Sequence, residues 1–297
     1  LHLLSRRQRQ MCIRDSIKGG NASGMKYGDT LSDDAFSGYE FDYIISNPPF
    51  GIDWKREKTQ VESEAKRGFD GRFGPGLPAI SDGQMLFLLN GVKKLKTGSG
   101  RMAIIQNGSS LFTGDAGSGA SEIRRYVIEG DLVEAIIQMP TDLFYNTGIS
   151  TYIWVLTKGK TMQRSGRVQL IDASKCYVKR RKNIGNKRVD LDDACIRLIL
   201  RAYEGFADET CEESGLIVES KVFDNRFFGF TKVTVETAQT DEHGRPILKK
   251  GKKQPVKGAT DTEIIPLLEN IDTYMEKNVL PYNPLAYICL LYTSDAA

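Results

Sequence analysis

Asn47, Pro48, Pro49 and Phe50 form one run directly after a short β-rich segment, residues 41–46. A side-chain amide oxygen and a neighbouring backbone carbonyl can each accept one N–H of an exocyclic amine, drawing its lone pair out of ring conjugation. Two prolines in series lock φ and hold the Pro48 carbonyl rigidly, and Phe50 offers a flat face on which a base can stack. Such a set needs little acid-base force, because attack of a freed amine on an electrophilic methyl depends mainly on positioning. The chemistry that fits is methylation of a base amine. In a duplex that base must be flipped out at a cost of roughly a few kcal/mol, of which stacking on Phe50 returns about 1–3 kcal/mol. The same four residues could be no more than a rigid turn, since proline cannot donate ladder hydrogen bonds and so ends a strand. Their place at the carboxyl end of a strand in an α/β pattern, where ligands bind, favours the functional reading.

The elements that must position this run follow from periodicity. Residues 41–46 read as a short buried strand, and downstream strand and helix alternate, which predicts a mainly parallel sheet covered by helices. A helix is expected over residues 82–96, capped by Ser81 or Asp82, with Met85, Leu88, Leu89, Val92 and Leu95 on one face. Residues 101–106, 132–137 and 151–156 read as strands, with a short helix over 122–128 closed by Gly130. The connection 140–150 is too short for a helical crossover, so the last two of these strands are expected to be antiparallel. Beyond Lys158 comes a basic cluster (Lys175, Lys179, Arg180, Arg181, Lys182, Lys187, Arg188), then a helical face from Leu191 to Phe206 with Asp190 as its cap. Residues 230–236 alternate like a half-exposed strand, 241–257 read as a mobile Gly- and Lys-rich loop, and a last helix over 269–278 turns Ile271, Tyr274 and Met275 inward.

Composition narrows the function class. The chain of 297 residues is long enough for one large α/β domain and a smaller region, and its net charge of +3 means that nucleic-acid contact must come from local patches. Five scattered cysteines without a Cys-x-x-Cys pair argue against a disulfide framework and a zinc site, and His243 stands alone, so no metal is expected. No apolar run approaches the roughly 20 residues that span a bilayer, which points away from the membrane and to the cytoplasm. Residues 1–16 and 288–297 read as non-native scars at the edges of a gene fragment, with a basic nucleic-acid-binding arm as the alternative for the first.

Several long segments resemble the modification subunits of type I restriction-modification systems: residues 41–55 around Asn-Pro-Pro-Phe, 111–125, 132–154, 185–188 and 261–263. The resemblance covers nearly everything between residues 17 and 287. It implies an α/β, Rossmann-like S-adenosylmethionine-dependent methyltransferase sheet whose first strands are missing, over residues 17–160, followed by a mixed α/β extension over 161–287 for subunit and DNA contacts. It further implies S-adenosylmethionine as donor, adenine N6 in double-stranded DNA as acceptor, and assembly with a specificity subunit, a restriction subunit and a second modification subunit. By matching position Asn47, Pro48, Pro49 and Phe50 become the catalytic run, and Asp29 an acidic position near the donor or target base. Phe144 or Tyr145 becomes the opposite wall of the base pocket. The family's glycine-rich donor loop finds no match in this sequence, so the chain alone is expected to bind the donor poorly and to be inactive.

Lys179, Arg180, Arg181 and Lys182 are candidates to grip DNA phosphates, although charge runs are more often simply solvated. The glycine-rich stretch 114–119 lacks the Gly-Lys-Ser/Thr ending of a phosphate cradle and reads as a flexible loop near the DNA or base pocket. Two rivals stand beside the main reading: a protein-glutamine N5 methyltransferase, which uses a similar Asn-Pro-Pro-aromatic turn, and a non-catalytic assembly module.

Overall fold

The computed structural model describes residue 24, residues 26–145 and residues 147–294; residues 1–16 lie outside them. Seven strands form one mixed sheet: β1 (Tyr43–Ser46), β2 (Arg101–Asn107), β3 (Val133–Gln138), β4 (Thr151–Thr157), β5 (Arg167–Asp172), β8 (Glu209–Glu213) and β9 (Leu216–Asp224), in the order β1-β2-β4-β3-β5-β9-β8. Only β1–β2 and β3–β5 pair in parallel. The mainly parallel expectation is therefore corrected, while the antiparallel β3–β4 pair is as expected, β4 inserting between β2 and β3. The sheet also runs on past residue 160 through β5, β9 and β8.

Helices cover both faces. On one face α2 (Gln84–Lys93) and α4 (Gly119–Glu129) bury Met85, Leu88, Leu89, Ile123 and Val127 against Met102, Ile104, Trp154 and Leu156. Alternation along each strand puts the next residues on the other face, where α5 (Asp193–Gly205) sets Cys195, Leu198 and Ala202 against Ile137, Ile153, Val155 and Ile171. The cap of α5 is Asp192, whose carboxylate accepts from Cys195 N at 2.9 Å. Asp190, the expected cap, instead ends β7 (Lys187–Asp190) and pairs with Arg180 and Lys187. Two shorter helices, α1 (Lys58–Ala65) and α3 (Ser109–Phe112), follow the catalytic run and β2.

The strand expected at 41–46 is present as β1, but it is not buried: Tyr43 is 77% and Ile45 92% exposed. The physical reason is position. Ile44 faces the covered side and joins the core, whereas β1 is an edge strand whose opposite face has no helix over it among the described residues.

A second, antiparallel sheet is built from β10 (Phe230–Ala238), β13 (Pro255–Pro266) and β14 (Ala286–Ser294) in the order β13-β10-β14. Paired on both sides, β10 buries Val233 and Val235 with Ile265, Met275 and Val279, more than a half-exposed strand would. The last helix is short, α6 (Ile271–Tyr274) continued by a π turn over Met275–Val279, and Ile271, Tyr274 and Met275 face this core as expected. The expected loop 241–257 is ordered: β11 (Leu248–Lys249) and β12 (Lys252–Lys253) form a hairpin leading into β13. A further hairpin joins β6 (Val178–Ile184) to β7.

Candidate active site

Asn47 is exposed, Pro48 buried, Pro49 exposed and Phe50 half-buried immediately after β1, at the rim where β1 and β2 both end. Gly51, at φ +64°, lets the chain turn back in a region that side chains disfavour. The return is anchored from behind. Gly83 N donates to Ile52 O at 3.0 Å, Trp54 N to Ile80 O at 3.1 Å, and the buried Trp54 indole to Ala79 O at 3.0 Å.

The same loop carries a polar cluster that sequence reading missed. Gln84, 1% exposed at the start of α2, donates through Nε2 to Asp82 Oδ2 and Asn107 Oδ1, each at 2.7 Å, while its Oε1 accepts from Asn107 N at 3.1 Å. Ser109 Oγ completes the ring by donating to Asp82 Oδ2 at 2.8 Å. Buried amides survive only when so satisfied, and the closed ring ties the Asn-Pro-Pro-Phe turn through loop 79–84 to the end of β2. The available signal was a polar Ser-Asp-Gly-Gln stretch ahead of an apolar helix.

Asp29 sits in a turn that it caps itself, Oδ1 accepting from Leu31 N at 2.8 Å and Ser32 N at 3.2 Å. Arg72 holds that turn in place. Its guanidinium grips Glu64 at 2.8 and 2.7 Å, donates to Thr30 O and Leu31 O at 2.6 and 3.1 Å, and faces Asp34, which also pairs with Lys94. Burial pushes the Glu64 carboxyl up, but the Arg72 hydrogen bonds outweigh it and leave Glu64 below the usual carboxylate range. Burial, and then the Asp29 charge, raise the Glu57 carboxyl above its ordinary range. A cavity of about 500 Å³ lies here, lined by Gly28, Thr30 and Asp34 from the Asp29 turn and by Ile44, Ser46 and Pro48 from β1 and its end. Gly28 and Thr30 on either side of Asp29, and Pro48 of the Asn-Pro-Pro-Phe run, thus line one cavity, whereas Asp29 itself, Asn47, Pro49 and Phe50 do not.

The other expected site residues group elsewhere. Phe144 is half-buried, and Tyr145 is 55% exposed and turned to the β6–β7 hairpin, with Lys187 Nζ 5.3 Å from its ring centre and Asn186 N donating to its carbonyl at 3.0 Å. Lys179, Arg181 and Lys182 are exposed on that hairpin, whereas Arg180 is engaged by Asp190. The glycine-rich stretch 114–119 is tied down at both ends: Asp115 pairs with Lys232 at 2.5 Å, and Gly119 lies so close to the Leu77 carbonyl that a Cβ would fall 1.8 Å from it. Among the described residues no group of three His, Cys, Asp or Glu could hold a metal, and no helix is long and apolar enough to cross a membrane.

Several known proteins resemble this chain. The type I restriction enzyme MjaIX methylase subunit of Methanocaldococcus jannaschii is 28% identical over 167 residues, 56% of this chain and 29% of that one. The HindI methylase subunit of Haemophilus influenzae is 27% identical over 217 residues, 71% of this chain and 45% of that one. The chain therefore spans less than half the length of these relatives. The crystal structure of a type I restriction-modification methyltransferase subunit from Streptococcus thermophilus superposes with a TM-score of 0.56 at 27% identity, covering 71% of this chain and 40% of that one. The EcoKI M protein shares the fold at 18% identity and a TM-score of 0.51, over 73% of this chain and 48% of that one. These likenesses agree with the α/β methyltransferase sheet expected from sequence. The N-6 DNA Methylase family matches residues 8–243, and the chain belongs to that family.

Proposed function

We propose that this chain is the catalytic-rim portion of a modification subunit that transfers a methyl group from S-adenosylmethionine to adenine N6 in duplex DNA within a type I restriction-modification system. The observation that carries the reading is the run Asn47-Pro48-Pro49-Phe50 at the carboxyl rim of β1, its return fixed by Trp54 and Gly83. A cavity of about 500 Å³ beside Pro48 is of the size that takes a ligand such as the donor, with Gly28 and Thr30 lining it and the turn of Asp29 between them as the segment to hold it. When bound, S-adenosylmethionine supplies an electrophilic methyl whose C–S bond breaks with its electron pair kept by sulfur.

The chain's own residues do the rest. The Asn47 side-chain oxygen and the Pro48 carbonyl accept the two N–H groups of the target amine, freeing its lone pair to form the new N–C bond. Phe50 stacks the flipped base, Phe144 or Tyr145 closes it from the other side, and the proton lost from nitrogen passes to water at this exposed rim. Lys179, Arg180, Arg181 and Lys182 contact phosphates, and residues 161–287 serve subunit and DNA contacts. A specificity subunit, a restriction subunit and a second modification subunit are the proposed partners. The family match supports a DNA acceptor over a protein glutamine.

The test is transfer of labelled methyl to adenine-containing duplex by the intact enzyme with its specificity subunit, Asn47→Ala alongside. Labelled N6-methyladenine that vanishes in the variant supports reaction and site together. Donor binding with no transfer would leave the assembly-module reading.

A further inference from the structure

Residues 239–257 form a ribbon stitched to the end of β10–β13. Ile247 N donates to Gln239 O at 2.8 Å, Gln254 N to Ile247 O at 3.0 Å and Gln239 N to Gln254 O at 2.7 Å, so three extended segments run side by side. The tip is a two-residue turn in which Lys250 (φ +51°) and Gly251 (φ +76°) are both left-handed, the geometry that matches strand twist in a tight hairpin.

Arg245, Lys249, Lys250, Lys252, Lys253 and Lys257 all stand exposed on this ribbon. Lys253 lies over the Tyr287 ring at 5.2 Å, and none of the others has a carboxylate partner among the described residues. Of the two acids within the ribbon, Asp241 is spent on the backbone N–H groups of His243 and Arg245, each at 2.9 Å, and Glu242 stands exposed at its start. The ladder sets Lys249 directly opposite Lys252, and like charges facing each other across a strand pair are destabilising. Other cations are matched to acids, Arg72, Lys94, Lys160 and Lys232 among them. A rigid hairpin that keeps its lysines unmatched and opposed is relieved by a polyanion, and a two-stranded ribbon has the width that enters the major groove.

We propose that the β11–β12 hairpin is a second DNA-phosphate arm, with Lys249, Lys250 and Lys252 gripping the duplex backbone independently of sequence. It rests on the duplex-DNA reading above but lies beyond residue 243, where the family match ends. The test is fluorescence-anisotropy binding of the 297-residue chain to a labelled duplex over a salt series without donor, comparing wild type with the triple variant K249Q/K250Q/K252Q. The expected result is weaker binding and a log K against log salt slope shallower by about 2–3, with circular dichroism unchanged. An unchanged slope, no duplex binding by the wild type, or equal competition by poly-glutamate at matched charge would each overturn the arm. The assay contains no donor and reads binding alone, so failure of methyl transfer in the intact enzyme leaves its outcome untouched and the two readings are told apart.

Discussion

The two edges of the seven-stranded sheet are opposites. At β8, Glu209, Glu212 and Glu213 put charge along an edge while Cys211 is buried beneath α5, which is how an edge strand blocks further pairing. At β1, Tyr43 and Ile45 present bare apolar side chains with no charge among the four residues of the strand. That is the composition of an interior strand. Among the described residues, the β8 edge thus carries charge and the β1 edge carries apolar side chains open to water.

If that contrast is right, Asn47→Ala gives the largest functional effect and almost no structural one. Methyl transfer by the intact enzyme falls about 100-fold or more, as when one preorganised polar group is lost, while the melting temperature stays within error. A parallel loss of stability would show that Asn47 is structural. The largest stability effect near β1 is expected at Arg72, because Arg72→Ala takes from Glu64 its closest partner in a mostly buried site. Denaturant unfolding should lose about 3–5 kcal/mol.

The same pair predicts acid sensitivity. Glu64 and Asp131 are held below the ordinary carboxylate range when folded, Glu64 by Arg72 against the opposing effect of burial and Asp131 likewise by Lys160, Gly166 and Asn225. Their contribution is fully present above the unfolded carboxylate pKa and is lost as pH falls through the depressed folded values. Stability should fall on acidification below about pH 4.5, and Arg72→Ala should flatten that fall.

At the covered part of the sheet, Leu198→Ala on α5 should cost about 2–5 kcal/mol, since Leu198 is 1% exposed. The smallest effect sharpens the comparison most. Ile45→Asp should change the stability of this chain by no more than about 0.5 kcal/mol, yet lower the stability and activity of the intact enzyme severely if a neighbour covers β1 there. An equal, small effect in both settings would make β1 a true terminal edge.

Legibility was uneven for physical reasons. Apolar periodicity exposed α2, α4, β2, β3 and β4, because each buries one continuous face. It did not reveal β5 or β9, whose strands hold polar residues satisfied only by distant partners: Gln169 donates to Ala202 O and Ser220 Oγ, each at 2.8 Å. Nor did it show that the Lys-rich excursion is a hairpin, since a Lys-Gly turn between single Leu-Lys and Lys-Lys pairs carries little alternation.

The sequence by itself determined the rigid Asn-Pro-Pro-Phe turn, because it is a local object: two locked φ angles act over four residues whatever the surroundings. It also determined the antiparallel β3–β4 pair, since an eleven-residue connection leaves no room for a crossover. Only the tertiary structure decided that β4 inserts between β2 and β3, that Arg72 fixes the Asp29 turn, and that Gln84 braces the catalytic loop. Those depend on contacts between residues tens of positions apart, where burial selects the partner that satisfies each polar group, and no local pattern encodes which partner that is.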